Sequence, residues 1–287
     1  MAILSIQSHV SYGYAGNSAA VFPLQRMGRT VWAINTVEFS NHTGYGAWRG
    51  TELGAEMIAS LVRGLDERGV LEDCEAVLSG YMGDAAVGRA IIDTVQLVRT
   101  KAPGALYCCD PVMGDVDRGF YVKPDIPGIF KNEVIALADI LTPNQFELEV
   151  LTGMTTGNII DAWKAIDLLH AQGPGIVLVT SYREGENSIG PRDHIDMLVS
   201  TGSGTYRIRT PELPFDTAMS GSGDLTAAVF LSRYLETGDI QGALELTAAS
   251  IYGIMEATFK ARSRELCIIA AQNELNNPSR SFAAVRL

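Results

Sequence analysis

The sequence is short of cysteine, of positive charge and of long apolar runs, and each shortage removes a class of function. Only Cys74, Cys108, Cys109 and Cys267 occur in 287 residues, with no C-x-x-C spacing. Cys108 and Cys109 are neighbours on a strand-like run, where successive side chains point to opposite faces. They read as small buried hydrophobes in a reducing compartment, not as a metal clip or a disulfide framework. Lys and Arg number 22 against 33 Asp and Glu, a formal net charge of −11. Nucleic-acid binding rests largely on Lys and Arg contacts to phosphate, so no nucleic-acid partner is expected. A nucleotide stays open, because backbone N–H groups and a metal ion neutralise a few phosphates locally. No run approaches the ~18 consecutive apolar residues of a membrane span. The start, Met1-Ala2-Ile3-Leu4-Ser5-Ile6, lacks a basic n-region and reads as a first strand. No membrane partner is expected, and the cytoplasm is the expected location. Absent too are a Walker G-x-x-x-x-G-K-[ST], a G-x-G-x-x-G after the first strand and an H-x-x-x-H pair. P-loop, Rossmann and histidine-metal readings therefore fail. There is no internal repeat and no low-complexity tract.

What is present is a globular composition, 47% hydrophobic, with strand-like runs alternating with helix-period segments. Strands are expected at 3–7, 30–34, 76–79, 105–109, 139–141, 176–180, 195–200 and 205–209. Several are apolar on successive residues, as in strands buried on both faces. In 84–100, Val87, Ile91, Val95 and Val98 recur at helical spacing behind Asp84, a candidate N-cap. Leu244, Ala248, Ile251, Met255 and Phe259 mark another long helix, and 17–27 reads as helical with a kink at Pro23. Segments 114–121, with Asp115, Asp117 and Arg118, and 182–192 read as exposed loops inside the alternation. The pattern predicts an α/β fold: one domain over 1–287, with a mostly parallel central sheet flanked by helices on both faces.

In such sheets ligands sit beyond the carboxyl ends of the strands. After the first three strands come Gln7-Ser8-His9-Val10 with Gly16-Asn17-Ser18, then Phe39-Ser40-Asn41-His42-Thr43-Gly44-Tyr45, then Ser79-Gly80-Tyr81. Polar, glycine-flanked and aromatic, these clusters suit a small flat ring. After the next two come Asp110-Pro111-Val112-Met113-Gly114-Asp115 and Thr142-Pro143-Asn144-Gln145-Phe146-Glu147. If Pro143 opens a helix, Asn144 and Glu147 share one face. The most informative stretch is Gly221-Ser222-Gly223-Asp224, followed by a helix-like run from Leu225. Glycines let the backbone approach a ligand, and a helix start presents unpaired N–H groups to an anion such as phosphate. A carboxylate there makes sense as the base that takes a proton from an attacking hydroxyl. Asp110, Asp115, Glu147 and Asp224 would share one rim, which is costly unless a cation is bound. His9 and His42 fall within the ring clusters, whereas His170 and His194 read as structural.

These strings, in order over nearly the whole chain, resemble the ribokinase superfamily and, within it, the pyridoxal kinases. Ser5-Ile6-Gln7-Ser8-His9-Val10 and Ser40-Asn41-His42-Thr43-Gly44-Tyr45 are the specific matches, while Gly-x-Gly-Asp and Asn-x-x-Glu mark the superfamily alone. The resemblance implies ATP-dependent phosphorylation of the 5′-hydroxyl of pyridoxal, and variably of pyridoxine and pyridoxamine. It implies Asp224 as base and substrate contact, with Gly221, Ser222 and Gly223 as the anion hole. Ser8, Thr43, Gly44 and Tyr81 would meet the ring. Asp110, Asn144, Glu147, Thr180, Ser181, Arg209, Thr210, Pro211 and Glu212 would lie on the ATP side. Asp110, Asp115 and Glu147 would serve Mg²⁺ or another divalent cation, and Thr142 a monovalent cation such as K⁺. Segment 114–121 would be a flap, and the protein a homodimer. Thr180 stands where some relatives carry Lys, which leaves a cationic contact to ATP either missing or supplied from elsewhere. A hydroxymethylpyrimidine kinase, a small sugar kinase and a non-catalytic vitamer-binding protein remain as alternatives.

Overall fold

The computed structural model describes residues 1–116, 118–185, 193–217 and 219–287. Asp117 of the expected loop 114–121 and residues 186–192 of the expected loop 182–192 lie outside the described residues, as does Ala218. The chain opens with β1 (Ala2–Tyr12), α1 (Asn17–Arg26), β2 (Thr30–Asn41), β3 (Gly50–Glu52), α2 (Ala55–Glu67), β4 (Cys74–Ser79) and α3 (Ala85–Lys101). It continues through β5 (Leu106–Cys109), β6 (Gly114–Asp115), β7 (Gly119–Phe120), α4 (Ile126–Ile129), β8 (Ile140–Leu141), α5 (Gln145–Thr152) and α6 (Ile159–His170). It closes with β9 (Ile176–Tyr182), β10 (His194–Thr201), β11 (Gly204–Pro211), α7 (Ser222–Thr237), α8 (Ile240–Lys260) and β12 (Val285–Arg286).

Among the described residues, ten strands make one sheet in the order β12-β11-β10-β9-β8-β5-β4-β1-β2-β3. From β9 to β2 the neighbours run parallel. Antiparallel strands finish both edges, β3 on one side and β10 to β12 on the other. The central strands are buried on both faces, which explains their unbroken apolar runs. Ile3, Leu78 and Cys108 face α1, α7 and α8 through Leu24, Phe230 and Leu244. Leu4, Val77 and Cys109 face α2, α3, α5 and α6 through Val62, Ile91, Leu148 and Ile166. Cys108 and Cys109 thus lie on opposite faces, as their adjacency requires. Asp84 caps α3 by accepting the Val87 N–H at 2.9 Å, and Val87, Ile91, Val95 and Val98 are all buried. None of the helices among the described residues is long and apolar enough to cross a membrane.

The strands nearest the site differ most from expectation. β1 runs on to Tyr12 and β2 to Asn41, past Ile6 and Ser79 where pairing of β1 with β4 ends. Their polar residues hide a strand from any apolar pattern, yet pairing with each other satisfies the backbone. A register shift between Gln7 and His9 marks a bulge opposite Ser8. The extension, with β3 added at Val37–Phe39, forms a wall that projects past the end of β4. Segment 114–121 is likewise not a plain loop: β6 and β7 pair as a hairpin, pinned to α5 by the Phe120–Phe146 ring contact at 5.0 Å. β3 and β12 are too short to show periodicity. Leu78, fully buried between the sheet and its helices, tests the core. Leu78→Ala should lower unfolding free energy by about 2–5 kcal/mol, read from denaturant midpoints.

Candidate active site

The loops leaving the carboxyl ends of the parallel strands enclose a cleft of about 780 Å³. Sixteen of the expected residues line it: Ser8, Thr43, Tyr81, Asp110, Asp115, Asn144, Glu147, Thr180, Ser181, Thr210, Pro211, Glu212, Gly221, Ser222, Gly223 and Asp224.

The glycine-acid turn forms the start of α7. Gly221 is left-handed, φ 82°, and gives the helix no side-chain cap. The first-turn N–H groups and the positive end of the helix dipole therefore face the cleft. A Cβ on Gly221 would fall 2.3 Å from the Tyr14 carbonyl oxygen, so only glycine lets α7 seat against the loop after β1. The Asp224 carboxylate accepts the backbone N–H of Gly16 and its own. Withdrawal from solvent nevertheless pushes its pKa up.

Asp110 follows β5 and is buried, with Oδ2 lacking any hydrogen-bond partner among the described residues. That oxygen faces the turn, 3.9 Å from where a Cβ of Gly223 would stand. Burial, reinforced by Glu147 and Asp224, holds the Asp110 carboxyl well above the usual range. Glu147 is equally buried, but its oxygens are engaged: Oε1 accepts from Met113 N at 2.8 Å and Oε2 from Asn144 N at 2.9 Å. Asn144 returns a bond by accepting the Glu147 N–H at 2.9 Å, which completes a capping box. Here the expectation at Pro143 is corrected. α5 begins at Gln145, so Asn144 is its cap and not a residue on its face. Burial outweighs these N–H bonds and pushes Glu147 up to about 8. Thr142 does not reach the cleft wall; it is buried, and its hydroxyl donates to the Cys109 carbonyl oxygen at 3.5 Å. No three His, Cys, Asp or Glu among the described residues converge as a preformed metal cage. A cation that keeps its waters and takes phosphate oxygens needs only one or two carboxylates, and the unpartnered Asp110 Oδ2 fits that demand.

On one side of these acids Val10, Val37 and Phe39 of the β1–β2 wall, with Tyr81 from the loop after β4, make an apolar slot with Ser8 and Thr43. His42 Nδ1 lies 3.1 Å from both the Gly44 N–H and the Ser220 hydroxyl, which links this wall to the glycine turn. Burial, and then Arg118, lower the His42 pKa, in keeping with an accepting Nδ1. Gly44 lies behind His42, not on the cleft surface. On the other side are Thr180, Ser181 and Thr210, with Met197, Ile251 and Met255. Helical spacing marks Ile251 and Met255 on α8 only as apolar, and no sequence signal separates a ligand-facing methionine from a core one. Arg209 departs from expectation. It alternates with Thr210 on β11, so its guanidinium leaves the cleft and pairs with buried Asp196 at 2.9 Å. The cations that line the cleft among the described residues are Arg118 and Arg183, the latter 2.8 Å from Glu212. Sequence reading did not assign Arg183.

A family model described as Phosphomethylpyrimidine kinase matches residues 37–266. The pyridoxal kinase PdxY of Granulibacter bethesdensis is 50% identical over 288 residues, covering 99% of this chain and 99% of that protein. That of Rubrobacter xylanophilus is 49% identical over 285 residues, covering 99% and 97%. The chain belongs to the pyridoxal kinase family. A solved structure of the Leishmania donovani pyridoxal kinase in complex with ADP and pyridoxamine superposes with a TM-score of 0.90 at 30% identity, covering 99% of each chain. The family fold is thus the one described above, and the resemblance read from the motifs holds.

The raised acids have a measurable consequence. The folded state binds the Glu147 proton more tightly than the unfolded chain, so stability from this group is full below about pH 4.5 and is lost as pH rises towards 8. Thermal melts from pH 4.5 to 8 should show wild type losing stability more steeply with pH than Glu147→Gln. Parallel curves would refute the assignment.

Proposed function

We propose that this chain is a single kinase domain that transfers the γ-phosphoryl group of ATP to the 5′-hydroxyl of pyridoxal, in vitamin B6 salvage. The observation that carries this reading is one cleft holding the open start of α7, Asp224 within its first turn, and the unpartnered Asp110 oxygen facing both. The apolar slot of Val10, Val37, Phe39 and Tyr81 takes the pyridine ring, with Ser8 and Thr43 as polar contacts. Asp224 takes the proton of the 5′-hydroxyl as that oxygen attacks the γ-phosphorus. The bond from γ-phosphorus to the β,γ-bridging oxygen breaks, and ADP leaves with the electron pair. The N–H groups of Gly221–Gly223 hold the equatorial oxygens as charge builds on them. Thr180, Ser181 and Thr210, with Met197, Ile251 and Met255, hold the nucleotide. A divalent cation, Mg²⁺ or similar, held by Asp110 with Glu147 and Asp115 nearby, would neutralise phosphate charge in a site that carries more acids than cations. Thr142, beneath Asp110, is the proposed ligand for K⁺.

The family model's description names a pyrimidine, which keeps a second reading, the hydroxymethylpyrimidine kinase, in view. Full-length similarity to pyridoxal kinases weighs more, and the Leishmania donovani relative has been solved with ADP and pyridoxamine and with ADP and pyridoxine. Pyridoxine and pyridoxamine are accordingly proposed as further acceptors. A homodimer is proposed from exposed Tyr12, Trp48, Met57 and Leu61, at and beside the β3 edge. A cytoplasmic location, where ATP is supplied, is proposed with it.

Asp224→Asn should lower kcat by a factor on the order of 10² or more while ATP binding persists. Near-normal turnover in that variant sinks the role of Asp224. ADP formation measured with pyridoxal, pyridoxine, pyridoxamine, hydroxymethylpyrimidine and ribose, with and without K⁺, should be fastest with a B6 vitamer. Faster turnover of hydroxymethylpyrimidine would transfer the assignment to that acceptor, and tight pyridoxal binding without turnover would leave a vitamer-binding protein.

A further inference from the structure

Glu265 lies after α8, in a segment remote in sequence from every motif of the site. The segment is anchored from below, because Leu266 and Ile268 are buried against Leu225 and Val229 of α7. From that anchor the Glu265 carboxylate reaches two loops at once. Oε2 accepts the backbone N–H of Tyr14 at 3.0 Å, and Oε1 accepts the Tyr45 hydroxyl. Gly13 makes room for it, since a Cβ there would stand 2.3 Å from Oε2. The neighbouring Arg264 guanidinium lies over the Tyr45 ring at 3.8 Å, holding the same side chain from a second direction.

Both loops matter to the site. Tyr45 ends the short turn Thr43–Tyr45, which carries the acceptor contact Thr43. Tyr14 supplies the carbonyl against which Gly221 is packed, so its position sets that of the glycine-acid turn. His42 already ties the start of the Thr43–Tyr45 turn to Ser220. Glu265 ties its end, through Tyr45, to the same body.

We infer that Glu265 is a positioning residue, a carboxylate clasp that holds the Thr43–Tyr45 turn in register with the α7 anion turn for the acceptor substrate. This rests on the kinase reading above. A clasp on the acceptor side acts on pyridoxal and leaves the nucleotide side alone, because no Glu265 contact reaches Thr180, Ser181 or Thr210. A carboxylate that merely helped the chain fold would not discriminate between the two substrates.

The test uses the full chain with Glu265→Ala, Glu265→Gln, Tyr45→Phe and the double variant Glu265→Ala/Tyr45→Phe. Steady-state kinetics should show KM for pyridoxal raised about tenfold in Glu265→Ala, with KM for ATP within about twofold of wild type. Glu265→Gln, which keeps one acceptor oxygen, should recover part of the loss. The double variant should be no worse than Glu265→Ala, since both changes remove one contact. Hydrogen exchange at the amides of Gly44, Tyr45, Ser222 and Gly223 should be faster in Glu265→Ala. An unchanged KM for pyridoxal, an equal rise in both KM values, or additive effects in the double variant would overturn the clasp. Should Glu265→Ala not fold, Tyr45→Phe and Glu265→Gln carry the same comparison. A wild type without pyridoxal turnover would refute the kinase reading, and the exchange measurement would still decide the clasp.

Discussion

Asp110, Glu147 and Asp224 share one water-poor rim, where like charges repel strongly unless something positive joins them. Each comes from a different element: the end of β5, the start of α5 and the start of α7. Glu147 is bound into a capping box and Asp224 into the first turn of its helix, so neither can retreat. The cluster of acids is therefore built in: alone, burial and mutual repulsion favour their protonated forms, and a cation that replaces those protons is the natural occupant beside them. Binding that relieves a strained ground state is selective in itself, since neutral ligands of the same shape gain nothing from it.

The rim lies where it does because of the sheet. Central strands buried on both faces leave no room for polar chemistry along their length, so it collects beyond their carboxyl ends. α1, α7 and α8 cover one face and α2, α3, α5 and α6 the other. The start of α7 meets the ends of β5 and β8 at the cleft, where the polar residues that follow each strand converge.

Much of this was legible in the residues. The parallel core showed as apolar runs, Asp84 as a cap and Gly221–Asp224 as a glycine turn opening a helix, because each rests on a local rule. What escaped had no local signal. Gln7–Tyr12 continues a strand only because β2 lies beside it, and polar residues in such a strand look like loop. Arg209 has the composition of an ATP contact, yet alternation along β11 turns it towards Asp196. Ile251 and Met255 face the cleft with the same periodicity that would bury them. Arg183 and Glu265 matter through partners far away in sequence, and one chain read alone does not reveal partners.

The wall formed by the ends of β1 and β2 is held by their mutual pairing and by β3, not by the parallel pairs that carry Asp110 and Glu147. Substitutions on that wall alter the apolar slot without touching the strand pairs that carry the acids. The fold thus separates the question of which hydroxyl is accepted from the question of how phosphate is moved. That division lets one phosphoryl-transfer apparatus be inherited intact while acceptor preference drifts, which is how a single family model can span chains named for pyrimidines and chains named for pyridoxal.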